Sequence, residues 1–333
     1  MERNTQFIGQ SLAFLDAVEL AGRAAELNRP VLVIGERGTG KELVAERLHR
    51  LSPRWGEPLI VMNCAALPET LIEAELFGHE QGAFTGATRA RAGRFEEAAG
   101  GTLFLDELAT LSMAAQERLL RVVEYGQVTR IGASRPMTVD VRIIAATNED
   151  LPALAQAGRF RPDLLDRLSF EVITLPPLRA REGDVAVLAD HFGRRMAAEL
   201  GWPDWPGFSA DCLGELEAHA WPGNVRELRN VVERAVYRWH EPGRAIAQIV
   251  FDPFASPWKP QPVASSGEEP KAAPVPNQAP VSDLRAAVDA HEAAIVQATL
   301  ERHRYNQRAT AKALGLSYDQ LRHCMRKHRL GSG

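Results

Sequence analysis

The feature that most constrains the fold is a glycine-rich loop between a short apolar run and a helical pattern. Residues 31–34 are Val-Leu-Val-Ile, and the loop that follows is Gly35-Glu36-Arg37-Gly38-Thr39-Gly40-Lys41-Glu42. Glycines let backbone N–H groups turn toward phosphate oxygens, a lysine can reach the β and γ phosphates, and the next helix adds the positive end of its dipole. This order predicts a site for the phosphates of a nucleotide, with an ordinary tight turn as the alternative.

Four further apolar runs alternate with longer helical patterns, at residues 59–61, 102–105, 141–144 and 172–175. Short Val/Ile/Leu runs separated by helices are typical of a parallel sheet that is covered on both faces. We therefore expect an α/β fold, a doubly wound parallel sheet, over residues 6–175. The strand-like runs then stop, and residues 176–245 are expected to form a small all-helical subdomain.

Two acidic residues end the run at 102–105. An aspartate at the carboxyl end of such a strand lies beside the phosphate-binding loop, so Asp106 is the predicted Mg²⁺ ligand. The adjacent Glu107 can accept a proton from an attacking water, which predicts nucleotide hydrolysis and not binding alone. Glu42 stands where most such loops carry a Ser or Thr that binds magnesium, so the ion depends more on Asp106 and on water. The alternative is that both acids cap a helix.

Polar side chains also follow the run at 141–144. Thr147 and Asn148 are expected at the same edge of the sheet, where they can orient water or sense the γ phosphate; alone, they would indicate a turn or a helix cap. Arg161 and Arg167 are six residues apart. They either form surface salt bridges or act as arginine fingers in a neighbouring subunit's site, a role that can supply about 10³ to 10⁵ in rate.

The C-terminal part of the chain differs from the rest in charge and in amino-acid composition. Residues 252–282 hold eight prolines and predict an extended linker. Residues 283–333 then carry nine Lys/Arg against five Asp/Glu, in a chain whose net charge is -4. Such a split indicates a module that binds nucleic acid.

This basic module has helix-turn-helix spacing. Residues 307–314 predict a short helix, Gly315-Leu316-Ser317 predicts the turn with Ser317 as N-cap, and residues 318–327 predict a second helix. Leu314, Leu316, Leu321 and Met325 form the expected core. The side chains left for double-stranded DNA are Tyr318, Gln320, Arg322, His323, Arg326 and Lys327. A solvated basic helix is the alternative. Residues 284–300 are expected to form a dimerising helix.

One motif carries a specific resemblance, the run Gly82-Ala83-Phe84-Thr85-Gly86-Ala87, which Glu75-Leu76-Phe77-Gly78-His79-Glu80 precedes. With the loop at 35–42 it resembles the bacterial enhancer-binding proteins, AAA+ ATPases that activate transcription by RNA polymerase carrying sigma-54. The resemblance covers about residues 6–240 and resumes at the C-terminus. It implies an AAA+ fold with a helical lid, a Fis-type helix-turn-helix, and a hexameric ring that forms from dimers.

The resemblance also implies roles for particular residues. The loop at 82–87 would contact sigma-54 through Phe84 and Thr85, supported by a second insertion at Arg130-Ile131-Gly132. Asn63 would be a switch that communicates with Glu107, and Glu96 would be coupled to the loop. Arg161 and Arg167 match the fingers that act on a neighbouring subunit. Arg226, in the run Trp221-Pro222-Gly223-Asn224-Val225-Arg226, would touch the nucleotide of its own subunit.

The start of the chain bears on regulation and location. The phosphate-binding loop begins at Gly35, which leaves no room before it for a sensory domain, so control is expected from a partner or from expression level. This layout most resembles the phage-shock branch of the family, which acts in membrane stress and which an inhibitor of the phage shock protein A type restrains through the ATPase domain. Trp55 is a candidate docking point, with a half-buried structural tryptophan as the alternative.

The composition excludes several other classes. There is no apolar run of about 20 residues and no signal-peptide pattern, so a cytoplasmic protein without membrane insertion is expected. Cys64, Cys212 and Cys324 have no metal or disulfide spacing. Two other functions stay open: a DNA-binding regulator in which nucleotide only switches assembly, and an AAA+ machine that acts on DNA itself.

Overall fold

The structure is a computed structural model of the 333-residue chain and describes residues 7–84, 86–255, 258, 283–328 and 330. The chain divides into two compact units, residues Met1–Ala255 and Ser256–Gly333. The strands are β1 (Val31–Ile34), β2 (Leu59–Asn63), β3 (Thr102–Asp106), β4 (Gln127–Val128), β5 (Met137–Thr138), β6 (Arg142–Thr147) and β7 (Glu171–Thr174).

The described helices follow in the same order. Those of the first unit are α1 (Leu12–Ala25), α2 (Lys41–Arg50), α3 (Glu69–Phe77), α4 (Arg94–Glu97), α5 (Met113–Tyr125), α6 (Leu151–Gln156), α7 (Pro162–Leu168), α8 (Asp184–Glu199), α9 (Ala210–Ala218) and α10 (Asn224–Arg238). Short 3-10 turns lie at Leu108–Thr110 and Leu178–Ala180. The second unit holds α11 (Leu284–Arg302), α12 (Gln307–Ala313) and α13 (Tyr318–Lys327).

Five strands form one parallel sheet in the order β2-β3-β6-β1-β7. All five predicted strands are present, and the predicted fold class is confirmed. Strands β3 and β6 are buried along nearly their whole length because helices cover both faces of the sheet. A short antiparallel hairpin, β4–β5, stands apart from this sheet.

Side chains alternate between two apolar layers, as the pleat requires. On β3, Phe104 packs with Val44 and Leu48 of α2 on one face. Its neighbours Leu103 and Leu105 pack with Leu119 of α5 on the other face. Because consecutive residues serve opposite layers, these strands are apolar at every position, which is why their runs stand out in the sequence.

The helical lid, α8 to α10, has its own core around Trp221. This side chain is fully buried, and its Nε1 donates a hydrogen bond to the Leu216 carbonyl at 2.8 Å. The segment before α1 is joined to the lid through Asp184, whose carboxylate accepts hydrogen bonds from the backbone N–H groups of Gln10 and Ser11. Residues near the start of the chain therefore lie against a helix that begins more than a hundred positions later.

The second unit is a three-helix module whose core includes Val296, Leu300, Ala311, Leu321 and Met325, with Leu314 and Leu316 packed against it. The predicted turn is confirmed, because Ser317 caps α13 by accepting a hydrogen bond from the Gln320 backbone N–H.

The predicted linker falls on residues 252–282, of which 256, 257 and 259–282 lie outside the described residues. The predicted domain boundaries stay predictions. In the described part of the chain, no helix is both long and apolar enough to span a bilayer. Its cysteines, Cys64, Cys212 and Cys324, are free thiols.

Candidate functional site

The loop between β1 and α2 is built to expose backbone N–H groups. Gly38 and Gly40 have φ of +80° and +101°, in the region that favours glycine. Among the described residues, the N–H groups of these two glycines donate to no protein acceptor. Gly40 is also the N-cap of α2, so the positive end of that helix faces the same place. Unpaired N–H groups at a helix N-terminus fit the oxygens of a phosphate chain.

Lys41 begins α2 and is only 8% exposed. Its Nζ donates hydrogen bonds to the carbonyls of Gly35 at 2.9 Å and Glu36 at 3.3 Å. Burial lowers the pKa of this ammonium, although Asp106 and Glu107 act in the opposite direction. A buried ammonium that neutral carbonyls solvate gains interaction energy when an anion binds beside it.

Asp106 and Glu107 follow one another at the end of β3. Asn63, at the end of β2, is in register with Asp106, and its Nδ2 lies 3.4 Å from Asp106 Oδ2. Glu107 has φ of +55°, a left-handed conformation that is uncommon for a residue with a side chain. Glu107 Oε1 lies 3.8 Å from Arg37 Nε. Asn63 thus contacts Asp106 here, and the charged neighbour of Glu107 is Arg37, which no sequence pattern indicated.

A cavity of about 350 Å³ lies over this loop. Its walls include loop residues 37–42 and both acids, Asp106 and Glu107. The remaining lining includes the cations of Arg181, Arg195, Arg226 and Arg229, together with His191 and the apolar side chains of Phe7, Ile8, Phe14, Leu43, Leu188, Phe192 and Val225. Cations and free N–H groups suit phosphates, and apolar walls suit a purine ring, so the cavity fits a nucleoside triphosphate. No sequence pattern indicated the apolar wall, because its members come from distant segments.

Glu36 belongs to the loop but does not line this cavity. Its carboxylate accepts hydrogen bonds from Arg179 and from Asn224. Arg179 lies in the turn that leads into the lid, and Asn224 is the first residue of α10 in the lid. These hydrogen bonds lower the pKa of Glu36 to about 2, and the bond from Arg179 has the largest effect. Residues 37–42 of the predicted loop therefore line the cavity, Gly35 does not, and Glu36 bonds to the lid and its connecting segment.

Thr147 and Asn148 end β6 next to the loop. Thr147 is fully buried; its carbonyl accepts from the Gly35 N–H at 3.2 Å, and its hydroxyl accepts from the Glu149 N–H. The side-chain oxygen of Asn148 is buried and has no hydrogen-bond partner among the described residues. An unsatisfied amide oxygen beside the loop can accept a hydrogen bond from a water or ligand.

Arg161 and Arg167 lie at the two ends of α7, and neither lines the cavity. Arg161 forms a bidentate pair with Asp163, and Arg167 donates to Glu124 at 2.9 Å. Both guanidinium groups are partly exposed. The structure therefore places neither arginine at the cavity of its own chain.

The described residues of the loop at 82–87, which are 82–84, 86 and 87, lie next to a base of isolated β-bridges that joins residues 79, 91 and 131. His79 bridges to Arg91 on one side and to Ile131 on the other. The Gly82 N–H donates to the Ala87 carbonyl at 2.8 Å, which closes the turn. Phe84 at its tip is 39% exposed, and its ring lies edge-on to that of His79 at 5.0 Å between centroids. Thr85 lies outside the described residues.

An ionic network joins this base to the body of the domain. Arg130 donates to both carboxylate oxygens of Glu96, at 2.9 and 2.6 Å, and to Glu80 at 3.1 Å. The bonds from Arg130 lower the pKa of Glu96, and the Arg130 pKa is raised in return. Arg130 thus links Glu96 to Glu80, which shortly precedes the loop at 82–87.

In the second unit, the predicted DNA-facing side chains are all exposed on α13. Three have partners within the module: Gln320 completes the capping box at Ser317, Tyr318 donates to Gln307, and Lys327 pairs with Asp289 and Glu292. The guanidinium of Arg322 lies 5.9 Å from the Tyr318 ring centroid. All six residues thus lie on one helix, and Tyr318, Gln320 and Lys327 have hydrogen-bond or ion-pair partners within the module.

Trp55 follows the end of α2 and is 72% exposed. The preceding Arg54 is anchored, because its guanidinium donates to Asp140 and to the Gly100 carbonyl. An exposed indole on an anchored turn is not the half-buried structural tryptophan that stood as the alternative.

Three family models match the chain in sequence order. They are described as Sigma-54 interaction domain over residues 7–174, AAA+ ATPase lid domain over residues 179–248, and Bacterial regulatory protein, Fis family, over residues 288–328.

Among similar proteins, the Psp operon transcriptional activator of Escherichia coli (strain K12) is 48% identical over 329 residues, which are 99% of each chain. The anaerobic nitric oxide reductase transcription regulator NorR of Aeromonas hydrophila is 44% identical over 95% of this chain, which spans only 62% of that relative. A crystal structure of NtrX from Brucella abortus in complex with ATP matches with a TM-score of 0.69 and 31% identity, over 97% of this chain and 70% of that one.

Proposed function

Because this chain belongs to the enhancer-binding, sigma-54-dependent transcriptional activators, we propose that it hydrolyses ATP in a ring and uses the energy to convert closed promoter complexes into open ones. The observation that carries the proposal is the pairing of two features in one domain. A phosphate-binding loop with adjacent acids lies at one edge of the sheet. The loop at 82–87, which exposes Phe84 and is called the Phe84 loop from here on, is linked to the same domain through Arg130.

Residues 37–42 of the loop and Arg226 hold the triphosphate in this proposal. The free N–H groups of Gly38 and Gly40 and the ammonium of Lys41 are the donors, and the match to the ATP complex of NtrX supports this ligand. Asp106, with water, would hold Mg²⁺, which when bound neutralises charge that develops on the phosphates. The fit rests on the carboxylate oxygens of Asp106, which lines the same cavity as the phosphate-binding loop.

Glu107 is the proposed base for the attacking water, and Arg37 is the group near enough to position its carboxylate. Asn63, which contacts Asp106 in this structure, would act as the switch toward Glu107 only after it changes partner. Thr147 and Asn148 report the state of the γ phosphate from the end of β6, where the amide oxygen of Asn148 is still free to accept. Arg161 and Arg167 would enter the site of the next subunit in a hexameric ring that assembles from dimers. Their exposure and their absence from their own cavity support this role.

The Phe84 loop is the proposed contact with sigma-54. The residues proposed to take part in this contact are Gly82, Ala83, Phe84, Thr85, Gly86 and Ala87. Glu96 and Arg130 would carry changes at the nucleotide site to the base of the loop. The contact between the Phe84 and His79 rings shows that the tip can be held against this base. Positive φ at Gly82 and Gly86 gives the backbone pivots on either side of the aromatic residue.

The second unit would bind upstream enhancer DNA as a dimer, with α13 in the major groove and α11 at the dimer contact. Leu284, Val288 and Ile295 of α11 are exposed apolar side chains, which supports a dimer contact on this helix. Binding two sites on DNA raises the local concentration of subunits and so favours ring assembly.

The promoters are proposed to be those of a membrane-stress, phage-shock type of response. The support is the 48% identity to the Psp operon transcriptional activator over 99% of both chains. An inhibitor of the phage shock protein A type would then dock at Trp55. If so, Trp55→Ala should release hydrolysis from inhibition. Tyr125→Ala, which removes another exposed aromatic residue of the same domain, should not.

The proposal is tested by reconstituted transcription with sigma-54 polymerase on a supercoiled template, with and without ATP. Lys41→Ala should abolish both hydrolysis and open-complex formation, whereas Thr85→Ala should abolish only open complexes. Glu107→Gln should bind ATP without turning it over. Open complexes formed without ATP, or by Lys41→Ala, would refute remodelling. A wild-type chain that binds but does not hydrolyse ATP would favour a regulator in which nucleotide only switches assembly.

A further inference from the structure

The lid covers the outer side of the phosphate-binding loop at very close range. A Cβ atom added at Gly38 would lie 2.3 Å from the Gly223 carbonyl oxygen, at a φ of +80°. Next to this contact, the Glu36 carboxylate accepts one hydrogen bond from each terminal nitrogen of Arg179, at 2.9 and 2.5 Å. Glu36 is therefore directed at the lid and its connecting segment.

Asn224 completes this junction. It is fully buried with φ of +51°, a conformation that asparagine tolerates better than most residues. Its Oδ1 accepts from the Leu178 N–H at 2.8 Å, and its Nδ2 donates to Glu36 Oε2 at 3.1 Å and to the Arg37 carbonyl at 3.0 Å. One amide thus joins the loop, the turn at Leu178–Ala180 and the first residue of α10.

Arg226 follows Asn224 by two positions, in the first turn of the same helix. It lines the cavity that Lys41 and Arg37 also line. Because a helix is rigid over one turn, the position of Asn224 on the loop fixes where the backbone of Arg226 stands relative to the cavity. Small displacements of a charged group from its partner are costly in binding and in catalysis.

We propose that Glu36, Arg179 and Asn224 form a clamp that seats the lid on the phosphate-binding loop and so positions Arg226 for the nucleotide. Glu36 is a positioning residue in this inference and not a nucleotide ligand. The inference rests on the proposed nucleotide binding and adds to it the route by which the loop and the lid act together.

An ordinary surface ion pair is the alternative, since the Glu36 and Arg179 side chains are 43% and 51% exposed. Such pairs contribute little to stability. The two interpretations predict different outcomes. Loss of a surface ion pair should leave nucleotide affinity unchanged, whereas loss of the clamp should lower nucleotide affinity through Arg226.

The test is titration of the full-length chain with a fluorescent ADP analogue, without Mg²⁺. Glu36→Ala and Arg179→Ala should each weaken binding roughly tenfold, the size expected when a charge-assisted hydrogen bond is lost. In an Arg226→Ala background, removal of Glu36 should have little further effect, because the clamp acts through that arginine. The matched control is Arg194→Ala, which breaks an exposed Arg194–Asp190 pair of 2.7 Å in the same lid and should leave binding unchanged.

A thermal melt of each variant accompanies the titration. Should Glu36→Ala fail to fold, Glu36→Gln and the exchange Glu36→Arg with Arg179→Glu take its place; the exchange should recover part of the affinity. The clamp is overturned if Glu36→Ala binds ADP like the wild type, or if its effect adds fully to that of Arg226→Ala. A wild-type chain that binds no nucleotide would instead refute the proposed function.

Discussion

Replacing Asp184 with alanine should destabilise the lid by far more than a change to an exposed ion pair. Asp184 and Arg181 form an ion pair of 2.7 Å with side chains 0% and 2% exposed. The same carboxylate accepts from the backbone N–H of Gln10 at 2.6 Å and of Ser11 at 3.0 Å, and from the Ser11 hydroxyl at 2.9 Å. Burial by itself raises the pKa of Asp184, but these hydrogen bonds outweigh it and leave the pKa below its usual value.

The magnitude follows from these contacts. Breaking a buried pair by removing one partner costs about 3–5 kcal/mol, because the other charge is left uncompensated. Each buried N–H group left without an acceptor costs a further 1–3 kcal/mol, roughly, and water entry offsets part of that. We expect a loss of about 5 kcal/mol in the free energy of unfolding for Asp184→Ala. For Arg194→Ala, which breaks an exposed pair in the same helix, we expect less than about 1 kcal/mol.

Urea unfolding followed by tryptophan fluorescence measures this, because four of the six tryptophans, at positions 202, 205, 221 and 239, lie in the lid. The double variant Arg181→Met/Asp184→Ala should recover at least about 1 kcal/mol, since no unpaired charge stays buried. Because the folded pKa of Asp184 is lowered, its contribution is present above the usual aspartate pKa and is lost as the pH falls through the folded value. A loss below about 1 kcal/mol for Asp184→Ala would refute the reasoning.

Three further outcomes are expected. Arg130→Met should keep ATP hydrolysis but lose open-complex formation, because it cuts the link between Glu96 and the Phe84 loop; equal losses in ATPase and transcription assays would contradict this. Gly38→Ala should weaken ADP binding at least tenfold by displacing the lid, whereas Gly214→Ala, which meets open space within α9, should raise the free energy of unfolding by about 0.5–1 kcal/mol and leave binding unchanged. Arg322→Ala should weaken DNA binding and, if that side chain contacts a phosphate, reduce the slope of log affinity against log salt by about one; an unchanged affinity would place the contact elsewhere.

Much of the nucleotide site was predictable because its chemistry is local in sequence. The loop at 35–42 follows β1 directly, and Asp106 follows the apolar run of β3, so strand periodicity alone places both at one edge of the sheet. The turn at Ser317 was predictable for the same reason, since an N-cap and its bonded N–H group are three residues apart.

The partners of individual site residues were not predictable. Glu36 was expected to serve the nucleotide with the rest of its loop, but its carboxylate bonds to Arg179, 143 positions away, and to Asn224, 188 positions away. Arg37 was placed in the loop, but its proximity to Glu107 depends on the left-handed backbone at that glutamate. No spacing rule reports such contacts, because they form only when separate helices and strands pack together.

The sequence by itself determined the parallel sheet, the phosphate-binding loop, the acids at its edge and the helix-turn-helix, since each depends on residues within a few positions of one another. Only the tertiary structure decided that Phe7 and Ile8 wall the nucleotide cavity and that the lid is seated on the loop through one buried asparagine. The physical reason is that local patterns specify hydrogen bonding and burial within an element, whereas contacts between distant segments are selected by the packing of the whole domain.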